Sequence, residues 1–377
     1  MKLRNSNHLM YCLNIHPGES LGEVTSAIRQ DAAAVKATVC PDEPFALGLR
    51  LSRLAARELR LAVDDFKTFL DDNGFYVVTI NGFPYGQFHG RRVKEDVYLP
   101  DWTSPERTAY TLDLAHILAR LMPEGEIGTI STVPCHYGKQ EKLGALHNLL
   151  LMTDELARIE QETGKHIMLA LEPEPDCFLD SQASTLTFFD HLSNWDWDAH
   201  ARRHIGVCLD CCHAAVVFES PRKWFQRFCA AGIAVPKIQV SASLKIDISR
   251  HSPMQNPESL RPFCDDTYLH QTRVRAKGPP MSFPDLPDAI AHAPDGEWRV
   301  HFHVPLYGRV SNPPLQGEPP VQSTADLIEP DFLREVLSTG HKHLEVETYS
   351  FAMVPGPKPP LVDSIVAELN WLKQRLP

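Results

Sequence analysis

Residues 169–176 read Leu-Ala-Leu-Glu-Pro-Glu-Pro-Asp, and the interpretation of the whole chain starts from them. The largely apolar run 166–171 predicts a β-strand, and the prolines that follow it predict a loop. Glu172 stands where the strand meets the loop. In parallel α/β proteins the functional side chains collect at this place, the carboxyl end of a strand.

Three further short apolar runs end in residue types that bind metals. They are residues 205–213, which end in Asp210-Cys211-Cys212-His213, residues 343–349, which contain Glu345 and Glu347, and residues 299–304, which carry His301 and His303. Strands of this kind alternate with helical segments, among them residues 53–72, 105–121, 141–163 and 330–338. This alternation is typical of a parallel sheet with helical crossovers.

We therefore predict a (β/α)₈ TIM barrel built by a single domain, residues 1–377, with an irregular insertion near 247–295 and a proline-rich loop near 305–322. Nine strands can be counted, one more than a closed eight-stranded barrel needs. Only one of the predicted strands at residues 237–242 and 299–304 can belong to an eight-stranded barrel. One of these two strands is expected to lie outside the barrel.

Composition narrows the class of protein. The chain has 377 residues, 43% of them hydrophobic, and a formal net charge of −11. Since it also lacks a basic run, we expect no nucleic acid partner.

Nine scattered cysteines, an odd number, are typical of reduced intracellular thiols. The sequence has no signal segment and no apolar window of membrane-spanning length, so we expect a cytoplasmic protein. The oligomeric state stays open.

Four residues at strand ends form a candidate metal site: Glu172, Asp210, His303 and Glu347. Successive barrel strands deliver their ends to a common rim, which brings such residues together. Three carboxylates and one imidazole favour one divalent cation, Mn²⁺, Mg²⁺ or Co²⁺, with Zn²⁺ also compatible.

The spacing of neighbouring residues divides them between the rim and the interior. His301 and His303 are two apart, as are Glu345 and Glu347, so a strand points both members of each pair to one face. We expect the later member to reach the site and the earlier one to lie deeper in the barrel. His213 has two interpretations, a substrate-binding imidazole or a helix-start residue bound to backbone.

The order of these motifs is similar to that in the xylose-isomerase-like barrels, and most of all to the sugar isomerases and ketose 3-epimerases. The motifs are Glu172, Asp210-x-x-His213, His301-Phe-His303 with Arg309 six residues later, and Glu347-Thr-Tyr. The resemblance implies that Glu172 and Glu347 are the catalytic acid and base as well as metal ligands. It implies that Asp210 and His303 only bind the metal, and that His213 and Arg309 contact the sugar.

Several polar residues near other strand ends could also bind the substrate. The irregular loop 81–102 contains Asn81, Tyr85 and His89, and its cations would suit a phosphate or a carboxylate. The alternative is a solvated loop face. His16 and His136 each follow a strand, where they either line the rim or simply pack.

A second resemblance covers nearly the whole chain. The motifs Asn14-Ile-His-Pro-Gly-Glu, Thr79-Ile-Asn-Gly-Phe-Pro-Tyr-Gly-Gln-Phe-His-Gly, Val97-Tyr-Leu-Pro-Asp-Trp and Leu171-Glu-Pro-Glu-Pro-Asp resemble the EboE "metabolite traffic" family. This resemblance implies a barrel of the same superfamily, encoded in a bacterial cluster that handles a precursor metabolite.

These observations favour a metal-dependent isomerase or epimerase that acts on a sugar, a sugar phosphate, a cyclitol or a related polyol. One alternative is a barrel that binds a metabolite without turnover. Another is a phosphodiesterase like endonuclease IV, against which the net charge of −11 counts because DNA-binding proteins usually carry a basic face.

Overall fold

The computed structural model describes residues 1–140, 142–194, 199, 201–249, 256–307 and 321–377. Its strands are β1 (His8–Tyr11), β2 (Phe45–Arg50), β3 (Phe75–Asn81), β4 (Gly128–Thr132), β5 (Ile167–Leu171), β6 (Ile205–Asp210), β7 (Lys237–Val240), β8 (Leu244–Ile248), β9 (Thr272–Arg275), β10 (Met281–Phe283), β11 (Gly296–Val300), β12 (Gln322–Ser323) and β13 (His343–Val346). Its α-helices are α1 (Leu21–Ala27), α2 (Ala33–Val39), α3 (Arg53–Asp72), α4 (Pro105–Leu121), α5 (Leu143–Thr163), α6 (Gln182–Asn194), α7 (Cys211–Val216), α8 (Pro221–Ala230), α9 (Leu286–His292), α10 (Pro330–Ser338) and α11 (Leu361–Lys373).

Eight parallel strands form the barrel that the alternating pattern predicts. Their order is β1-β13-β7-β6-β5-β4-β3-β2, and a parallel bridge between Cys12 and Gly48 joins the two edge strands. The fold is therefore a (β/α)₈ barrel, in which the carboxyl ends of the strands share one rim. Within the described part of the chain, no helix is both long and apolar enough to cross a membrane.

Gly48 makes the closure of the barrel sterically feasible. A Cβ at this position would overlap the Glu345 carboxylate and lie 2.8 Å from the carbonyl oxygen of Tyr11. The pairing of β2 with β3 also shifts register between Leu47 and Gly48. A side chain at residue 48 would therefore push the two edge strands apart.

We expect Gly48→Ala to lower the free energy of unfolding by about 1–3 kcal/mol, because an added methyl group in a packed interior forces its neighbours to move. Urea denaturation measures this difference. Gly22→Ala is the matched control, since Gly22 is exposed near the start of α1 and a Cβ there would approach only the Ser20 hydroxyl, at 3.9 Å. Equal stability of the two variants would contradict the role of Gly48.

Most helix boundaries agree with the sequence, because the signals that start and stop helices are local. α3, α4 and α10 begin and end at the predicted residues. The Ser52 hydroxyl caps α3 by accepting a hydrogen bond from the Ala55 amide at 3.0 Å. α5 begins at Leu143 rather than at residue 141, and Gly164 ends it in the left-handed conformation, with φ of 71°.

The insertion expected near residues 247–295 is present, but its described part is not irregular. β8–β12 form a second, five-stranded antiparallel sheet in the order β10-β9-β11-β8-β12. β7 belongs to the barrel and β11 to this second sheet. The extra strand is therefore the one predicted at residues 299–304. Of the predicted proline-rich loop at 305–322, residues 308–320 lie outside the described residues.

The interior of the barrel contains a buried ion pair. Lys237 Nζ of β7 lies 2.7 Å from Glu345 Oε2 of β13, and neither side chain is exposed. Lys237 also donates a hydrogen bond to Ser131 Oγ at 3.2 Å. Burial alone would lower the pKa of Lys237, yet the Glu345 carboxylate raises it above its ordinary value. Glu345 therefore lies deeper in the barrel than Glu347, as predicted.

Candidate metal centre

A cavity opens at the rim formed by the carboxyl ends of the barrel strands. Its volume is about 50 Å³. Its wall includes Asn14 after β1, Asn81 of β3, Glu172 after β5 and Glu347 after β13. Residues from four strand ends therefore converge here, as the rim geometry of a barrel requires.

Three carboxylates meet beside this cavity, and two of them, Glu172 and Glu347, line it. Glu172, Asp210 and Glu347 are all buried, and one oxygen atom from each lies within 4.8 Å of the other two. Burial and the neighbouring carboxylates raise the pKa of Glu172 and Glu347 well above the ordinary value, and burial also raises the pKa of Asp210. Such crowding of acidic groups is unfavourable unless protons or a cation neutralise them.

The hydrogen bonds of Asp210 leave one of its oxygen atoms available. Asp210 Oδ1 accepts hydrogen bonds from the His213 amide and from the Ser241 hydroxyl, both at 2.8 Å. Asp210 Oδ2 and Glu172 Oε2 are buried and have no hydrogen-bond partner among the described residues. Buried polar atoms without partners carry a desolvation cost, which a bound ligand can remove.

His303 presents a ring nitrogen to the same region. Its Nδ1 lies 3.0 Å from the Glu347 carbonyl oxygen, so Nδ1–H donates there and the lone pair remains on Nε2. Nε2 is buried without a partner among the described residues, and burial lowers the pKa of His303 to about 4. A neutral imidazole with an exposed lone pair is the form that binds metals. Ligand atoms of His303, Asp210 and His213 lie within 4.8 Å of one another.

The route by which His303 reaches the site differs from the prediction. The sequence places it at the end of a barrel strand, whereas it lies beyond β11 of the second sheet. The returning segment is held by a hydrogen bond of 3.0 Å from the Val304 amide to the Ala242 carbonyl. Ser350 Oγ also donates to the His303 carbonyl at 2.9 Å. The second sheet therefore delivers this imidazole to the barrel rim.

The position of His213 is compatible with both interpretations that the sequence left open. Its amide belongs to the first turn of α7, and its ring lines the cavity. Its Nδ1 lies 2.9 Å from the Pro173 carbonyl oxygen and its Nε2 lies 3.1 Å from His301 Nε2. The expectation that His301 lies deeper in the barrel is wrong, because His301 is part of the cavity wall.

Asn81 lies in the cavity, as expected of a substrate-binding residue, together with an asparagine that the sequence did not single out. Asn81 Nδ2 and Asn14 Nδ2 donate hydrogen bonds to Glu347 Oε1 at 3.1 and 2.7 Å. Asn14 precedes the motif residue His16 by two positions, which is the only local signal of its role. These donors fix the orientation of the Glu347 carboxylate.

Four other residues expected to bind the substrate lie outside this cavity lining. The ring of Tyr85 packs 5.1 Å from that of Tyr110, and His16 lies 3.3 Å from Asp31. His89 sits behind the wall, where its Nδ1 is 2.8 Å from the Tyr268 hydroxyl.

His136 faces a separate cavity of about 440 Å³. That cavity lies between the segments that follow β4 and β5, and Phe178 packs on the His136 ring at 4.9 Å. Arg309 belongs to residues 308–320 and lies outside the described part of the chain.

The loop after β3 lines the cavity and is anchored to two segments of the insertion, one before β9 and one after β10. Lys94 Nζ lies 2.8 Å from Asp285 Oδ2 and donates a hydrogen bond to the Tyr268 carbonyl at 2.7 Å. The rings of Phe88, Tyr268 and Tyr349 lie 5.0–5.2 Å apart and form part of the cavity wall. The loop therefore contributes aromatic side chains, among them Phe83, Phe88 and Tyr98, to the cavity wall.

Glu174 is a third glutamate of the cavity wall, beside Glu172 and Glu347, and its role was not predicted from the sequence. Its Oε1 accepts a hydrogen bond from the Tyr98 hydroxyl at 2.7 Å, and burial raises its pKa to about 8. Its position two residues after Glu172 in the proline-rich loop was the available signal.

All nine cysteines are free thiols.

The comparisons with known proteins find only distant likenesses. The chain matches no protein-family model and no curated protein. It is similar to a solved L-ribulose 3-epimerase, with 11% identity, coverage of 98% of this chain and 94% of the other, and a TM-score of 0.49. It is similar to an IOLI protein with a bound zinc atom (10% identity, 97% and 96% coverage, TM-score 0.48). It is also similar to a xylose isomerase domain protein from Alicyclobacillus acidocaldarius (11% identity, 98% of each chain, TM-score 0.47).

These TM-scores lie below 0.5, so the likenesses carry no argument about the site or the activity. The barrel is assigned from its own strand order. What this chain does must therefore be argued from its own residues.

Proposed function

We propose that the protein is a divalent-metal-dependent isomerase or epimerase of a sugar, a cyclitol or a related polyol. The observation that carries this proposal is a group of three buried carboxylates, Glu172, Asp210 and Glu347, in which one oxygen atom of each lies within 4.8 Å of the other two. A ring nitrogen of His303 lies within the same distance of Asp210, and Glu172 Oε2, Asp210 Oδ2 and His303 Nε2 are buried without hydrogen-bond partners among the described residues. Oxygen and imidazole ligands together suit Mn²⁺, Mg²⁺, Co²⁺ or Zn²⁺.

Each residue has a role in moving a proton at a carbon next to a carbonyl. A bound cation would supply Lewis acidity towards the oxygen atoms of the substrate. Asn14 and Asn81 hold Oε1 of Glu347 in place. A cation bound by Glu172 and Glu347 would lower the pKa of these carboxylates, so they could accept a proton only because the same cation would make the substrate more acidic. We assign them the proton transfers, and Asp210 and His303 the role of ligands.

The cavity wall supports a small, hydroxyl-rich substrate. Glu174, His213 and Asn14 present polar groups to a space closed by aromatic rings. Buried polar groups of this kind discriminate strongly in favour of a ligand that satisfies them.

We further propose that the protein serves a pathway that handles a precursor metabolite, in the manner of the EboE proteins. The support is the sequence resemblance of the stretches that begin at Asn14, Thr79, Val97 and Leu171. Of these stretches, Asn14, Asn81 and Glu172 line the cavity.

Metal content tests the first half of the proposal. We expect purified protein, after loading and desalting, to hold about one equivalent of a divalent cation in this site, and Asp210→Asn to bind it at least tenfold more weakly. Glu258→Gln is the control, because Glu258 is an exposed residue of the insertion and is paired with Arg261. If Asp210→Asn retained the metal with unchanged affinity, the site would be wrong.

Hydrogen exchange tests the second half. The metal-loaded protein is incubated in D₂O with a panel of ketoses, their phosphates and inosose-type cyclitols, and NMR follows deuterium incorporation next to the carbonyl. Incorporation that depends on the metal supports isomerase or epimerase chemistry. Tight ligand binding without incorporation would instead establish a binding barrel.

A further inference from the structure

A second group of metal-ligand side chains lies at the opposite end of the barrel. Glu160 is in the last turn of α5, His166 directly precedes β5, and His204 directly precedes β6. These positions are at the amino ends of the strands, whereas the candidate metal centre is at their carboxyl ends. In (β/α)₈ barrels the amino-end face contributes to stability rather than to catalysis.

The three side chains approach one another closely. Glu160 Oε2 lies 3.1 Å from His204 Nε2, and Glu160 Oε1 lies 3.2 Å from His166 Nδ1. The two imidazole rings are 4.7 Å apart. One ligand atom from each residue lies within 4.8 Å of the other two. Two imidazoles and one carboxylate are a ligand set that Zn²⁺ binds in proteins.

The tautomer of His204 is set by a neighbouring backbone group. Its Nδ1 lies 2.7 Å from the Ile167 carbonyl oxygen, so Nδ1–H donates there. The lone pair is then on Nε2, the atom that approaches the carboxylate of Glu160. A lone pair and a carboxylate oxygen repel each other at 3.1 Å, and a cation or a proton between them removes this repulsion. A carbonyl that receives the second ring proton is the usual support of a metal-binding imidazole.

The separations agree with those of ligands around one ion. Zinc–ligand distances of about 2.0–2.1 Å at a tetrahedral angle place two ligand atoms roughly 3.3 Å apart. The observed separations are 3.1 and 3.2 Å. His166 Nδ1 and Glu160 Oε2 are buried atoms without a hydrogen bond to a described residue, although each lies within ion-pair distance of its neighbour.

Local structure holds the three residues in position. Gly164 ends α5 with φ of 71°, which turns the chain back so that His166 lies beside the last turn of the helix. β5 and β6 are neighbours, with Leu169 opposite Ile205, so His204 comes close to His166. An ion here would tie α5 to both strands.

One feature of the site opposes a cation. Arg203 donates a hydrogen bond from Nη2 to Glu160 Oε1 at 3.2 Å, and its side chain is 55% exposed. It therefore neutralises part of the carboxylate charge, and water weakens its repulsion of an ion. Removing Arg203 is expected to strengthen ion binding.

We propose that Glu160, His166 and His204 form a second divalent-cation site, of the zinc type, at the amino ends of the barrel strands. Three protein ligands leave a position for water or another group. An ion that binds only the folded chain stabilises it in proportion to its affinity and concentration. This site does not depend on the function proposed for the rim.

The test uses the full chain with the rim ligands removed, Glu172→Gln/Asp210→Asn. Co²⁺ is titrated and followed by its visible absorption, and Zn²⁺ by calorimetry and by the melting temperature. We expect one equivalent to bind and to raise the melting temperature by several degrees. Adding His166→Gln should abolish both effects. Absence of binding, or unchanged binding with His166→Gln, would overturn the site.

Arg203→Gln in the same background gives a second measurement that does not require a change of ligand. We expect it to bind Zn²⁺ several-fold more tightly, because the competing guanidinium is gone. Weaker or unchanged binding would contradict the proposal. Circular dichroism shows that each variant is folded before its affinity is compared.

Discussion

Glu347→Gln is expected to lower the rate of substrate hydrogen exchange by about 10²–10⁴-fold at saturating metal, the usual contribution of a general acid–base group. The amide keeps the shape of the side chain but cannot take up a proton. Asn14 and Asn81 hold the carboxylate in the native site, so the replacement side chain should keep nearly the same position. NMR in D₂O measures the rate with the best substrate of the panel.

The comparison separates a loss of proton transfer from a loss of metal. Each variant is titrated with the cation until the exchange rate no longer rises, and metal content is measured at that point. Glu258→Gln, an exposed glutamate of the insertion, should keep the native rate. A native exchange rate in fully loaded Glu347→Gln would rule out this residue as acid or base.

Lys237→Met is expected to lower the free energy of unfolding by about 3–5 kcal/mol, because it leaves a buried carboxylate without its partner. Lys237 and Glu345 are fully buried and 2.7 Å apart. Water does not reach Glu345 in the closed barrel, so the carboxylate must be protonated or stay uncompensated. Urea denaturation at neutral pH measures the loss.

The double variant Lys237→Met/Glu345→Leu distinguishes the ion pair from simple packing. Replacing both partners by apolar residues removes both buried charges, and such replacements are often neutral or even stabilising. We therefore expect the double variant to be more stable than Lys237→Met. If the double variant were the less stable of the two, packing rather than charge would explain the loss.

The helices and the barrel could be predicted because their signals are local or repeat along the chain. Ser52 and Gly164 mark helix ends within a few residues of sequence. Glu172, Asp210 and Glu347 could be grouped from their positions in the sequence, since consecutive parallel strands must end on one rim. The structure places their oxygen atoms together, while their catalytic roles stay predictions.

The second sheet could not be predicted in the same way. β11 pairs with β8 through contacts such as Gly296 with Ile248, which are far apart in the sequence. Strand propensity shows that such a segment can be a strand, but it does not show which strand it joins. The assignment of residues 299–304 was therefore ambiguous, and the unusual route of His303 to the rim was missed.

Periodicity and the residue types at strand ends are enough to predict the fold class and the chemical type of the site. Which side chains meet one another depends on the tertiary structure. Asn14, Glu174 and His301 enter the cavity from three separate segments, and Glu160 meets His204 across 44 residues. Contacts of this kind depend on how loops and sheets close on one another, and no local pattern in the chain encodes that closure.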